Sequence, residues 1–151
     1  MRSESVDSYL AMVDSNIFVY AHDLQASEKR EIAKRLIRTL SDEGRLVITV
    51  QIVHEFCAVM MRKQRQGLAQ FDSIRELAEE MMATAQVLPL TPAITRRALH
   101  GVERYQLAFW DALIWAAARE YGIPTLYSED FHAGATLEGV DIVNPFAPSG
   151  V

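Results

Sequence analysis

Four acidic residues stand where the character of the chain changes. Asp14 ends the apolar run Tyr9 to Val13, and Glu55 lies about one helical turn beyond the apolar, β-branched run Leu46 to Val50. Asp111 opens the helical stretch Ala112 to Glu120, and Asp130 follows Thr125 to Tyr127 within Ser128-Glu129-Asp130. Junctions of this kind converge at the carboxyl ends of a parallel sheet, where ligands of such sheets bind. Carboxylates brought within about 4 Å of one another repel by around 4 kcal/mol per pair at an effective dielectric of 20. A hard divalent cation offsets that repulsion: Mg2+ or Mn2+ takes carboxylate oxygens and leaves positions open for water and phosphate. One or two such ions would activate water and polarise a phosphoryl group, so hydrolysis of a nucleic-acid backbone is the chemistry these residues suit. Read singly, each acid is more often a helix cap or a solvated charge; the weight lies in four of them at matching junctions.

The elements that must position these acids can be read from periodicity and punctuation. Tyr9 to Val13 reads as a buried strand running into a turn and helix start at Asp14-Ser15-Asn16. Ser27 is expected to cap a helix to about Leu40, with Ile32, Ala33, Leu36, Ile37 and Leu40 on one face, ended by Gly44. Leu46 to Val50 is a second strand, followed from about Gln51 by a helix that carries Glu55 and ends near Gly67. A helix from about Leu68 to Thr84 and a strand from Val87 to Leu90 come next, and Thr91-Pro92 supplies a cap and a proline at the first helical position. Gly122 and Pro124 close the helix after Asp111, Thr125 to Tyr127 form a fourth strand, and Ile142-Val143 a short last one before Asn144-Pro145-Phe146. Strands alternating with helices predict an α/β fold: a mostly parallel central sheet of four to five strands with helices on both faces.

A chain of 151 residues, half of them apolar, can bury one core without disulfides, so a single domain is expected, with its core from about 11 to 146. The lone cysteine, Cys57, excludes a zinc cluster of paired CxxC motifs and reads as a small buried apolar residue. The first sixteen residues lack the basic start and long apolar run of a secretion signal, and no segment has the roughly 20 apolar residues that span a bilayer. A cytoplasmic protein without membrane association is expected. The net charge of −5 argues against a broad basic face for nucleic acid, unless the acids are gathered around cations.

Other chemically able residues read more plainly. His54 is one helical position from Glu55 and so does not share its face. His22, His100 and His132 have no zinc-site spacing. Arg62, Lys63 and Arg65 either touch RNA phosphates or complement the end of a helix dipole. Met60, Met61, Met81 and Met82 read as core before partner surface, and Phe109 and Trp110 as core anchors rather than base-stacking groups.

The segments MVDSNIFVYA, QIVHEF, FWDALIWAAA, TLYSEDF and IVNPF, from about Ala11 to Phe146, resemble the ordered motifs of the PIN-domain nucleases, and of these most closely the VapC-type toxins of bacterial toxin–antitoxin pairs. The resemblance implies a PIN-like three-layer sandwich and a magnesium- or manganese-dependent endoribonuclease. It further implies a homodimer, restrained by a small antitoxin protein whose tail enters the acidic groove. By the same resemblance Asp14, Glu55, Asp111 and Asp130 are the catalytic, metal-binding acids, and Asn16 and Ser128 orient them. Ser15 stands where the family often has threonine, which keeps the hydroxyl. The alternatives are a housekeeping RNA-processing nuclease of the same family, or a non-catalytic module of the same fold acting through a protein partner. A phosphatase or phosphorelay site fits poorly: no second aspartate stands two residues after Asp14, and no lysine follows a late strand.

Overall fold

The computed structural model describes residues 10–67, 71–132 and 134–148. Tyr9 and Leu68, where the sequence places the start of a strand and of a helix, lie outside them. The element order is β1 (Ala11–Val13), α1 (Ser15–Tyr20), α2 (Ser27–Asp42), β2 (Leu46–Thr49), α3 (Val50–Arg65), α4 (Phe71–Thr84), β3 (Gln86–Leu88), α5 (Pro92–Tyr105), α6 (Phe109–Glu120), β4 (Thr125–Tyr127), β5 (Thr136–Leu137) and β6 (Val140–Val143).

These strands form one sheet in the order β3-β2-β1-β4-β6-β5, parallel throughout except for the antiparallel β5–β6 hairpin. Strands β1 and β2 are buried along their whole length, as expected of central parallel strands covered on both faces. From β1 the chain moves outward through β2 to β3, then returns past β1 to lay down β4 and β6 on the other side. Right-handed crossovers therefore put α1 to α4 on one face and α5 with α6 on the other, giving three layers. The point where the direction of winding reverses lies between β1 and β4, the place where such sheets open a crevice. There, Met12 pairs with Leu126 and Val13 with Tyr127, and the Asp14 amide extends the ladder by donating to the Tyr127 carbonyl at 2.9 Å.

Local chemistry explains most boundaries. Thr49 caps α3 by accepting from the Ile52 amide at 3.3 Å, and Thr91 caps α5 through the Ile94 amide at 3.2 Å with Pro92 behind it. Ser27 does not cap α2: the capping position is Ala26, without a side-chain bond, and Ser27 is the first helical residue. The helix takes its direction instead from Ala33 and Leu40 buried on its inner face. Helix α6 begins two residues earlier than the apolar pattern indicates, so Asp111 lies inside its first turn.

The sheet has six strands where four to five were expected, because β5 and β6 form a hairpin. Glu138 and Gly139 both take positive φ, 51° and 86°, and form the two-residue turn that suits strand twist. Above the hairpin, α5 and α6 pack closely because Gly101 has no side chain: a Cβ there would lie 2.6 Å from Cζ3 of the fully buried Trp115. The Trp115 indole donates to the Leu137 carbonyl at 3.1 Å, fastening α6 to the hairpin.

Candidate active site at the carboxyl ends of the strands

Asp14 is the centre of the site. It ends β1, is only 2 % exposed, and its Oδ1 accepts the Ser15 amide at 2.6 Å. Its Oδ2 accepts the Ser128 hydroxyl at 2.7 Å, a bond that crosses from β1 to the segment following β4. The Ser128 oxygen in turn accepts the Asp130 amide at 3.1 Å, so one hydroxyl positions two of the acids. Asn16 approaches Asp14 Oδ2 only at 3.5 Å, the outer limit of a hydrogen bond, and so orients it far less than Ser128 does.

Glu55 joins the site from α3. Its Oε1 accepts the Ser15 hydroxyl at 3.1 Å, and its Oε2 accepts Gln51 Nε2 at 2.9 Å from one helical turn earlier. Gln51 is buried and donates also to the Trp110 carbonyl at 2.9 Å, which links α3 to the start of α6 and thus to Asp111. The segment bearing Asp130 has its own anchor. The Tyr20 hydroxyl donates to Glu129 Oε1 at 2.8 Å, Lys29 forms an ion pair with Glu129, and the Lys29 ammonium sits 4.7 Å from the Tyr20 ring centroid.

Burial and neighbouring charge raise the pKa of two of the four acids. Asp14 has its pKa pushed up to about 7, first by burial and then by the charges of Glu55 and Asp130, against the lowering effect of the Ser128 and Ser15 hydrogen bonds. Asp111 is pushed up to about 6 by burial, then by Asp130 and Glu55, with His132 opposing. Each of these two aspartates thus feels both Glu55 and Asp130. Among the described residues, however, no group of three or more His, Cys, Asp or Glu side chains is close enough together to hold a metal ion.

The donor set still fits a hard cation. All four acids present oxygen, and the buried carbonyl oxygens of Asn16 and Gln51 have no hydrogen-bond partner, so the region carries more acceptors than donors. An acceptor-rich, partly buried place that raises carboxylate pKa values is favourable for a divalent ion and its waters.

Of the residues singled out from sequence, Asp14, Ser128 and Asp130 are linked by hydrogen bonds, Glu55 joins them through Ser15, and Asp111 is coupled to Glu55 and Asp130 by charge. Ser15 and Gln51 were not assigned to it. Gln51 was legible in principle, because residues four apart on a helix are neighbours and Gln51 stands four before Glu55. His54 is exposed. Arg62, Lys63 and Arg65 occupy the last turn of α3, about 10–15 Å along the helix beyond Glu55, where they complement its dipole. Met60 and Met81 are core, whereas Met61 and Met82 are exposed. Phe109 and Trp110 correct the expectation made of them: they are 38 % and 63 % exposed, and the core tryptophan is Trp115. Cys57 is half-buried, and burial pushes its thiol pKa up. No helix among the described residues is long and apolar enough to cross a membrane.

Comparison with solved structures returns the same architecture. A toxin–antitoxin complex from Klebsiella pneumoniae superposes with a TM-score of 0.65 at 19% identity, over 90% of this chain and 98% of that one. VapC20 of Mycobacterium tuberculosis, a toxin that cleaves the sarcin–ricin loop, gives a TM-score of 0.63 at 19% identity, over 85% of this chain and 97% of its own. VapBC2 of Rickettsia felis, bound to a DNA fragment from its promoter, gives 0.64 at 12% identity, over 88% and 96%. At these identities the likeness shows the fold alone. No curated protein matches the sequence. The PIN domain family model matches residues 11–134, from the first residue of β1 past all four acids and the reversal point between β1 and β4, and on that extent the chain belongs to the PIN domain family.

Proposed function

We propose that this chain is an endoribonuclease that hydrolyses RNA phosphodiester bonds with Mg2+ or Mn2+, and that it is the toxin of a toxin–antitoxin pair. The observation that carries the reading is the buried, hydrogen-bonded Asp14 at the reversal point of the sheet, coupled by charge to Glu55 and Asp130, which are in turn coupled to Asp111. Asp14, Glu55, Asp111 and Asp130 are the residues that would hold the ion. When bound, a divalent ion supplies Lewis-acid activation of water and of the phosphoryl group.

The chain's own residues do the positioning. Ser128 and the Ser15 amide hold the Asp14 carboxylate in one orientation, and Gln51 with the Ser15 hydroxyl does the same for Glu55. Because these donors are already in place, little reorganisation remains when a phosphate arrives, which is how preorganised polar groups lower a barrier. Below pH 7 Asp14 retains a proton for much of the time, and that proton must leave before the carboxylate can serve as a ligand.

The toxin assignment and an antitoxin partner are supported by the fold shared with the Klebsiella toxin–antitoxin complex and with VapBC2 of Rickettsia felis, and the homodimer and the small size of the antitoxin are what the resemblance to VapC-type toxins implies. The test is cleavage of a mixed, structured RNA by purified protein in magnesium or manganese, beside chelator and Asp14→Asn controls. Cleavage lost in both controls supports the reading, and cleavage that survives chelator contradicts it. Induction in bacterial cells should stop growth for the wild type and leave it unaffected for Asp111→Asn; a processing enzyme would show no such arrest.

A further inference from the structure

Trp110 is the largest side chain the site leaves in solvent. It is 63 % exposed, pairs edge-to-face with the half-exposed Phe109 at 5.1 Å between centroids, and precedes Asp111 directly. Its backbone is not free to drift: the Trp110 carbonyl accepts Gln51 Nε2, the same nitrogen that holds Glu55. The backbone at the start of α6 is thereby tied to the group that holds Glu55, and the exposed indole stands on the same first helical turn that carries Asp111. An exposed tryptophan gains nothing for the core, since α6 already buries Leu113, Ile114 and Trp115 beneath it.

The charge of the site narrows what such a ring can bind. The proposed site is lined by acids, the chain has a net charge of −5, and the cation cluster of α3 sits at the far end of that helix. Phosphate contacts therefore contribute little outside the cation site. Stacking of a base on an aromatic face is indifferent to that field and to base identity.

Resting on the nuclease reading, we infer that Trp110, backed by Phe109, is the platform on which an unpaired base next to the scissile phosphate stacks. It is a substrate-binding element for single-stranded RNA or for a loop, and it disfavours duplex, whose bases are already stacked.

The chain has two tryptophans, and Trp115 is fully buried, so a change in emission on binding reports Trp110. Titrating the Asp14→Asn chain in magnesium with a single-stranded RNA oligonucleotide, which it does not consume, should quench emission saturably. The quench should vanish when Trp110→Phe is added. In the otherwise wild-type chain, Trp110→Ala should raise KM for the same RNA about tenfold with a much smaller change in kcat, as loss of one stacking contact predicts. Trp110→Phe should recover most of the affinity, and neither variant should move the unfolding midpoint. Unchanged KM and no quench, in a chain whose wild type cleaves RNA, overturn this inference and leave the nuclease reading standing. No cleavage by the wild type overturns both. Emission that follows protein concentration instead of RNA, with a dimer lost in Trp110→Ala, gives the ring to a second copy of the chain and also overturns the inference.

Discussion

At the scale of single residues, the proposed chemistry centres on Asp14 and the groups that hold it. Burial pushes its carboxyl up to about 7 in the folded chain, from 3.8 for a free aspartate. Between those values the folded state binds more protons than the unfolded one, so stability of the metal-free protein must fall as pH rises from about 4 to about 7, and level off above. Three pKa units set an upper bound on the order of 4 kcal/mol for that loss. The unfolding midpoint in chelator should be higher at pH 5 than at pH 8, and the difference should shrink in Asp14→Asn. A midpoint that rises between pH 5 and pH 8 would contradict the assigned shift. Gln51 makes a second prediction. In Gln51→Ala, Glu55 loses the donor at 2.9 Å and α6 loses its tie to α3, so kcat should fall about tenfold while the fold survives. Steady-state kinetics beside a circular dichroism spectrum decide this, and wild-type kcat in the variant would remove Gln51 from the positioning network. That Asp14, Ser128 and Asp130 follow strands and that Glu55 and Asp111 fall in the opening turns of helices was legible in the sequence, because acids and hydroxyls at such junctions follow apolar runs directly. Ser15 and Gln51 were not assigned, because hydroxyl and amide residues occur everywhere and their partners, Glu55 and Trp110, are distant along the chain.

At the scale of elements, α5, α6 and the β5–β6 hairpin form the support under Asp111. Glu138, at the hairpin turn, accepts from Arg97 at 3.2 Å, Arg119 at 3.3 Å and Tyr105 at 2.8 Å, and contacts His100 at 2.8 Å. One carboxylate thus ties both helices to the edge of the sheet. Gly101 is the other fixed point. A glycine inside a helix costs roughly 0.5–1 kcal/mol relative to alanine, so here its absence of side chain outweighs that penalty. Gly101→Ala should destabilise the chain by about 1–3 kcal/mol, because the added methyl meets the rigid Trp115 ring, and urea unfolding would measure it. An unchanged or raised midpoint in urea would show that the helices can move apart freely. Strand–helix alternation was visible in periodicity and turn residues, but the hairpin was missed. Its strands are two and four residues long, and a Glu-Gly turn is a weak signal beside Asn-Gly or Asp-Gly. Phe109 and Trp110 were misplaced for a related reason: apolar type predicts burial only on average, and the face that α6 buries begins at Ala112.

At the scale of the whole molecule, a chain of net charge −5 gathers mutually repelling acids at the one place where its sheet reverses direction. That arrangement costs stability when the carboxylates stand alone and gains it when a cation binds the folded state only. Added Mg2+ or Mn2+ should therefore raise the unfolding midpoint of the wild type at pH 8, with a smaller effect at pH 5, where Asp14 holds its proton. Asp14→Asn should show little response at either pH. Equal metal responses in wild type and Asp14→Asn would place the ion elsewhere.

The most direct test of the account is RNA cleavage by the purified chain in Mg2+ or Mn2+, run beside Asp111→Asn and beside chelator. The account predicts cleavage by the wild type and none in either control, with Asp111→Asn still folded. Equal cleavage by wild type and Asp111→Asn would contradict the central claim that these acids form the catalytic site.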